Sequence, residues 1–228
     1  MTLPSFDPVW REIYPQLYAQ GLEDRAPYDC IVTFVHRNKP RKDRSEIRIL
    51  EVGCGTGNNI WYLVREGFNL SGIDASPEAI SYAIQRLKEE NLDADLRVAD
   101  FTELPYAESS FDLVYDRGSL TCCGLTSARK AVQEIHRVLA AGGRFFFNPY
   151  STEHSSAKGG RLIEDNLTVD IQAGNLVGCG QLCFYDRAKV EELLPEPWRV
   201  ESLSLLRIQE FLGARASVHS EWQVVARK

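Results

Sequence analysis

Three glycines at alternate positions, Gly53, Gly55 and Gly57, follow the apolar run Ile49-Leu50-Glu51-Val52 and precede a helix-like stretch at 60–66. Glycines at this density let the backbone turn sharply and approach a ligand with no Cβ in the way. Between the end of a buried strand and the start of a helix, such a loop turns backbone N–H groups toward a small molecule. Three carboxylates, Asp74, Asp100 and Asp116, close later strand-like runs. In an open α/β sheet the ligand crevice lies beyond the carboxyl ends of the strands. All three acids are therefore expected on one rim beside the glycine loop. Asp74 lies 21 residues after Gly53, a spacing that suits a carboxylate accepting hydrogen bonds from ribose hydroxyls. An acid near a helix N-terminus is also favourable in itself, and it is the glycine loop ahead of Asp74 that favours ribose.

The elements needed to hold these residues alternate along 47–150. Strands are expected at 48–52, 69–73, 95–98, 111–115 and 144–147. Helices are expected at 60–66, from the cap Ser76 and Pro77 onward, and at 126–139, where Gly142-Gly143 ends the last of them. Such alternation implies parallel βαβ units and a doubly wound α/β sheet with helices on both faces. Outside this rhythm, Trp10, Tyr14, Leu17 and Tyr18 recur at helical spacing around Pro15, and the basic stretch 36–48 reads as a solvated linker. Residues 151–181 suggest a hairpin turning at Ala173-Gly174-Asn175, or a long ordered loop. A helix at 186–194 and two strands at 200–208 and 221–226, read as an edge pair, complete the chain. The whole is expected to be one domain over 1–228, with a helical cap (1–46), a binding core (47–150), a lid-like insert (151–181) and a C-terminal helix with edge strands (182–228).

The 228 residues carry a net charge of −6, whereas nucleic-acid binders show a basic footprint. No signal-like segment opens the sequence and no apolar run approaches the ~20 residues of a membrane span; a cytoplasmic location is expected, with no membrane or nucleic-acid partner. The six cysteines form no C-x-x-C pair. They read as reduced, mostly buried thiols with no metal site.

At this point the chain resembles the class I S-adenosylmethionine (SAM)-dependent methyltransferases with small-molecule substrates. Glu51-Val-Gly-Cys-Gly-Thr-Gly57 resembles the family's first motif, Gly72-Ile-Asp-Ala-Ser76 its second and Ala99-Asp-Phe101 its third. Residues 111–116 and 134–144 resemble its fourth and its downstream helix–strand block. The ordered set covers about 47–150. The resemblance implies a mostly parallel seven-stranded Rossmann-like sheet with the last strand antiparallel, and SAM as cofactor with S-adenosylhomocysteine as product. Gly53, Gly55 and Gly57 would pass close to the methionine and ribose. Glu51 would orient the loop or meet the ammonium, Asp74 would bind the ribose, and Ala75 and Ser76 would lie beside the adenine. Asp100 would accept from the adenine amine, with Phe101 offering its N–H and ring. Asp116 would sit near the methionine end, and Asn58 would add a polar contact. A nicotinamide site needs G-x-G-x-x-G, and Asn58 stands where its third glycine belongs. Two other readings stay open: a non-catalytic SAM-binding protein on the same fold, and a nicotinamide-dependent oxidoreductase.

Methyl transfer from a sulfonium is an in-line displacement, and a base is needed only for an acceptor holding a proton of high pKa. Asp116, Tyr150 and His154 are the candidates on the rim. The acceptor is expected to be a small metabolite or sugar-like molecule, with oxygen ahead of nitrogen or carbon as the acceptor atom. Tyr14, Tyr18 and Arg25 are candidate cover or substrate contacts, although the aromatics equally suit a helix packed on the sheet. If 1–30 and 151–181 close over the site, deleting residues 1–20 changes SAM affinity or turnover. If both stay unchanged, the lid expectation is rejected.

Overall fold

The computed structural model describes residues 5–21, 25–212 and 217–228. Two helices open the chain, α1 (Trp10–Gln20) and α2 (Asp29–Asn38). The core follows as β1 (Arg48–Val52), α3 (Asn58–Arg65), β2 (Asn69–Asp74), α4 (Pro77–Lys88), β3 (Asp95–Val98), β4 (Phe111–Asp116), α5 (Leu125–Val138) and β5 (Leu139–Phe147). Three short strands come next: β6 (Arg161–Leu162), β7 (Leu167–Val169) and β8 (Leu182–Cys183). Then come α6 (Arg187–Leu193), β9 (Arg199–Gln209) and β10 (Val218–Arg227).

The main sheet has the order β3-β2-β1-β4-β5-β10-β9. Strands β1 to β5 run parallel, and β10 runs antiparallel to both β5 and β9. This is the expected doubly wound α/β fold with its antiparallel last strand. Of the final pair only β9 is at the edge, because β10 fills the gap between β9 and β5.

Successive side chains of a strand point to opposite faces, and both faces here are covered. On one side Leu50, Val52, Val114, Phe145 and Phe147 pack with Ala128, Val132 and Ile135 of α5 and with Val190 and Leu193 of α6. On the other, Ile49, Leu113, Tyr115 and Phe146 pack with Ile31, Phe34 and Val35 of α2, with Ile60 and Leu63 of α3, and with Ile80 and Leu87 of α4. Burial on both faces explains why the central strands read as continuous apolar runs. Helix α2 is thus a layer of the fold, while α1 rests on α4, with Tyr18 stacked on Tyr82 at 4.0 Å.

Three expected boundaries move. The basic stretch is not a free linker: its start belongs to α2, and Lys42 and Arg48 both grip Asp112, at 3.0 and 3.4 Å. Strand β5 starts at Leu139, directly after the helix, and its register against β4 slips, with Phe111 opposite Leu139 and Leu113 opposite Arg144. Within 151–181 the pairing is β6 with β7, not a hairpin at Ala173-Gly174-Asn175; β8 completes a small antiparallel sheet. Among the described residues no helix is long and apolar enough to cross a membrane.

One polar knot fixes the loop after β3. Glu134 accepts from the Leu104 N–H at 2.8 Å and pairs with Arg137, which donates to the Leu104 and Tyr106 carbonyls at 3.0 and 2.7 Å. Arg137→Ala should therefore cost ~1–3 kcal/mol of stability, read as a lower denaturation midpoint. An unchanged midpoint would show that the loop holds without it.

Candidate functional site

The glycine loop is bent by left-handed backbone, with φ of 70° at Gly53, 52° at Gly55 and 76° at Gly57. Its tightness also excludes side chains. A Cβ on Gly53 would strike Ser119, and one on Gly57 would lie 2.9 Å from the Ala83 Cβ. The loop is anchored at Cys54, whose N–H donates to the Ile73 carbonyl at 2.8 Å. Asp74 completes the anchor: Oδ2 accepts from the Gly55 N–H and Oδ1 from the Ser76 N–H, both at 2.9 Å. One carboxylate thereby ties the loop to β2 and to the start of α4. Burial raises Asp74 to about pH 6, against the pull of the N–H groups of Ser76, Gly55 and Ala75.

Beneath the loop Glu51 is buried, 2 % exposed. It accepts from Asn59 Nδ2 at 2.7 Å and from the Tyr115 hydroxyl at 3.1 Å. Burial chiefly, with the charges of Asp116 and Asp74, lifts its pKa to about 8, although both hydrogen bonds oppose the shift. Asn58 donates to the Ala26 carbonyl at 2.8 Å, and Asn59 accepts from the Tyr28 N–H at 2.9 Å. The two amides clamp 26–28 against the start of α3.

These groups wall a cavity of about 340 Å³. Glu51, Gly53, Gly55, Asn58, Asp74, Ala75 and Phe101 line it, as do Tyr14 and Tyr150. Five other expected residues are placed differently, for local reasons. Gly57 and Ser76 serve as N-caps of α3 and α4, and Ser76 accepts from the Ala79 N–H. Asp100 is exposed and outside the lining; it accepts from the Thr102 N–H and hydroxyl, both at 2.7 Å, and from the Ser5 hydroxyl. Tyr18 is held by Tyr82, and Arg25 lies at the surface outside the lining.

Two of the three candidate bases do not reach the cavity. Asp116 is fully buried, and its Oδ1 takes the N–H groups of Ser119 and Leu120, both at 2.9 Å, together with the Ser119 hydroxyl. Oδ1 thereby fixes the turn after β4, while Oδ2 is buried with no hydrogen-bond partner among the described residues and outside the cavity lining. His154 is 2 % exposed, and its Nδ1 accepts from the Ser156 N–H at 3.0 Å. Burial and the neighbouring His219 push it down to about pH 4. Tyr150 does line the cavity, but burial raises its hydroxyl to about 12. Burial raises Asp116 to about 6, within the range of a base, but it is outside the cavity lining; Tyr150, the one candidate of the three in that lining, holds its proton firmly.

The structure adds residues that sequence reasoning missed. Arg117 lines the cavity, lies over the Tyr28 ring at 4.2 Å and pairs with Glu221 at 3.2 Å. Glu221 also meets His219 at 3.0 Å. Arg117 was open to the same strand-end argument as Asp116, one position earlier; Glu221 comes from the far end of the chain. Trp10, Leu176 and Leu182 add apolar wall, and Cys122 and Cys179 add thiols. All six cysteines are free. Asp7 accepts from the Gln181 N–H at 2.8 Å, so the N-terminal segment meets the loop before β8 beside the cavity.

Residues 49–143 match the sequence profile of a methyltransferase domain family. The chain is 25 % identical over 138 residues to phosphoethanolamine N-methyltransferase 1 of Triticum aestivum, covering 60 % of this chain and 27 % of that protein. It is 30 % identical over 137 residues to sarcosine/dimethylglycine N-methyltransferase of Aphanothece halophytica, covering 58 % and 49 %. The match thus spans about a quarter to a half of the length of these relatives. In fold, it is similar to the 1,6-didemethyltoxoflavin-N1-methyltransferase of Burkholderia thailandensis, solved with 1,6-didemethyltoxoflavin and S-adenosylhomocysteine. The TM-score there is 0.62 at 19 % identity, over 100 % of this chain and 93 % of that one.

Raised carboxylate pKa values have a consequence for stability. Glu51 and Asp74 hold their protons more tightly folded than unfolded, so their contribution is full below about pH 4 and is lost as pH rises through about 6 and 8. The ligand-free protein should melt several degrees lower at pH 8.5 than at pH 5.5, and Glu51→Gln should flatten most of that slope. Equal melting temperatures at the two pH values would contradict the assignment.

Proposed function

We propose that this chain, a member of the class I SAM-dependent methyltransferases, transfers the methyl group of SAM to a small molecule held in the cavity. The observation that carries this reading is the joint placement of Asp74 and the glycine loop. Asp74 accepts one hydrogen bond from the backbone at each oxygen, yet it still lines the cavity. A carboxylate has about four lone-pair sites, so acceptor capacity remains for two vicinal hydroxyls. The residues present therefore fit SAM.

In this reading Asp74 takes the ribose hydroxyls, and Ala75 and Phe101 flank the adenine. Gly53 and Gly55 leave room for the methionine portion, and Glu51 receives its ammonium. SAM, when bound, supplies a methyl carbon on a sulfonium that is already a good leaving group. The protein's work is then to hold the acceptor atom in line with that carbon, at ~3–3.5 Å. Side chains around the other half of the cavity do this positioning. They need not remove a proton, which agrees with the firmly held proton of Tyr150, the one candidate base of the three that lines the cavity. The contact of Asp7 with Gln181 supports a cover formed by the N-terminal segment and the insert, which selects the acceptor. The relatives named for phosphoethanolamine and for sarcosine and dimethylglycine support a small acceptor.

The donor reading predicts two results in calorimetric titration with S-adenosylhomocysteine. Asp74→Ala should weaken binding at least tenfold, the loss of a charge-assisted pair of hydrogen bonds. Affinity should rise between pH 6 and pH 8 and level off above, because Glu51 must give up its proton to meet an ammonium. Glu51→Gln should remove that pH dependence. Binding that ignores both Asp74 and pH would sink the assignment, and so would the absence of any methylated product when SAM is supplied with a metabolite mixture.

A further inference from the structure

Three carboxylates line the cavity: Glu51 and Asp74 beside the glycine loop, and Asp7, which is tied to the Gln181 N–H at 2.8 Å. The one cation among its described lining residues is Arg117. Strand β1 stands between β2 and β4, so Asp74 and Arg117 enter from opposite sides of the glycine loop. Arg117 is 12 % exposed in its side chain, and an arginine cannot shed its charge on burial. One arm, Nη2, meets Glu221 Oε2 at 3.2 Å, and the guanidinium carbon lies 4.2 Å from the centre of the Tyr28 ring. Its Nε has no hydrogen-bond partner among the described residues. Glu221 is held well down, at about 2, by His219 and Arg117, and so remains a carboxylate. It does not line the cavity. Tyr150 does, with its hydroxyl 3.9 Å from where a Cβ on Gly118 would be. Burial keeps the proton on that hydroxyl, whose pKa is raised to about 12. This end of the cavity is thus walled by donors: a guanidinium kept in place from behind and a phenol.

We propose that the methyl acceptor carries a carboxylate, bound by Arg117 and Tyr150 at the end of the cavity opposite Asp74. The inference rests on the methyl-transfer reading and adds the acceptor's class. A planar guanidinium suits a planar carboxylate better than any neutral group, and the hydroxyl offers a second donor. Glu221 does not compete for the ligand; it fixes the guanidinium, and with His219 and Tyr28 it offsets the cost of burying it. Apolar lining from Trp10, Leu176 and Leu182 suits a carboxylate on a hydrophobic or aromatic body.

The test uses the full chain saturated with S-adenosylhomocysteine and three probes of one shape: benzoate, benzamide and benzylamine. Benzoate should bind at least tenfold more tightly than the other two, and Arg117→Gln should remove that preference while leaving the affinity for S-adenosylhomocysteine unchanged. Benzoate that binds no better than benzamide or benzylamine, or does not bind, overturns the inference. So does an Arg117→Gln chain that loses S-adenosylhomocysteine affinity by the same factor, because the guanidinium would then serve the donor's own carboxylate. Titration with S-adenosylhomocysteine alone comes first. No binding there sinks the donor reading and the inference with it, an outcome distinct from a failure of benzoate on a loaded protein.

Discussion

Two backbone N–H groups meeting one carboxylate hold the centre of this molecule together. Gly55 and Ser76 both donate to Asp74 at 2.9 Å. Through these bonds the loop after β1, the end of β2 and the first turn of α4 become one rigid unit. The parallel sheet brings those strand ends side by side, and burial on both faces fixes the register. The glycines then let the loop pass over without side chains in the way. Asp74 stays buried at some electrostatic expense, which burial alone would not favour. Its retained acceptor capacity inside the cavity gives that arrangement a use.

A second polar layer works behind the first. Asn59 bridges Glu51 and the Tyr28 backbone. Tyr28 in turn lies under Arg117, which leans on Glu221. A connected series of contacts thus runs from Glu51 to Arg117, passing through residues far apart in the chain. A site built this way holds its two ends at a fixed separation, as an in-line displacement requires.

The fold was readable from the sequence because its signals are local and repeated. Alternating strand and helix patterns gave the parallel core, and Ser76-Pro77 marked the start of α4. Gly53, Gly55 and Asp74 were readable for the same reason, since loop chemistry and strand ends occupy neighbouring positions. Asp100, Asp116 and His154 show where such reading stops. The strand-end rule places a residue on the rim but says nothing of which way its side chain turns. Asp100 has a threonine two positions on, whose N–H and hydroxyl take the carboxylate in a local turn. Asp116 is claimed by the N–H groups of its own following turn, and His154 by that of Ser156. Tyr18 shares a helix face with Tyr14, but Tyr82, from another helix, takes its ring. The pairing of Arg117 with Glu221 joins β4 to β10, and no spacing within either segment encodes it.

The central claim is that the loop, Asp74 and Glu51 form a SAM site. Side-by-side calorimetric titration of the purified chain with SAM and with NADH tests it most directly. Saturable one-to-one binding of SAM, abolished or sharply weakened by Asp74→Ala, with no heat from NADH, is the predicted result. Binding of NADH with none of SAM would contradict the account.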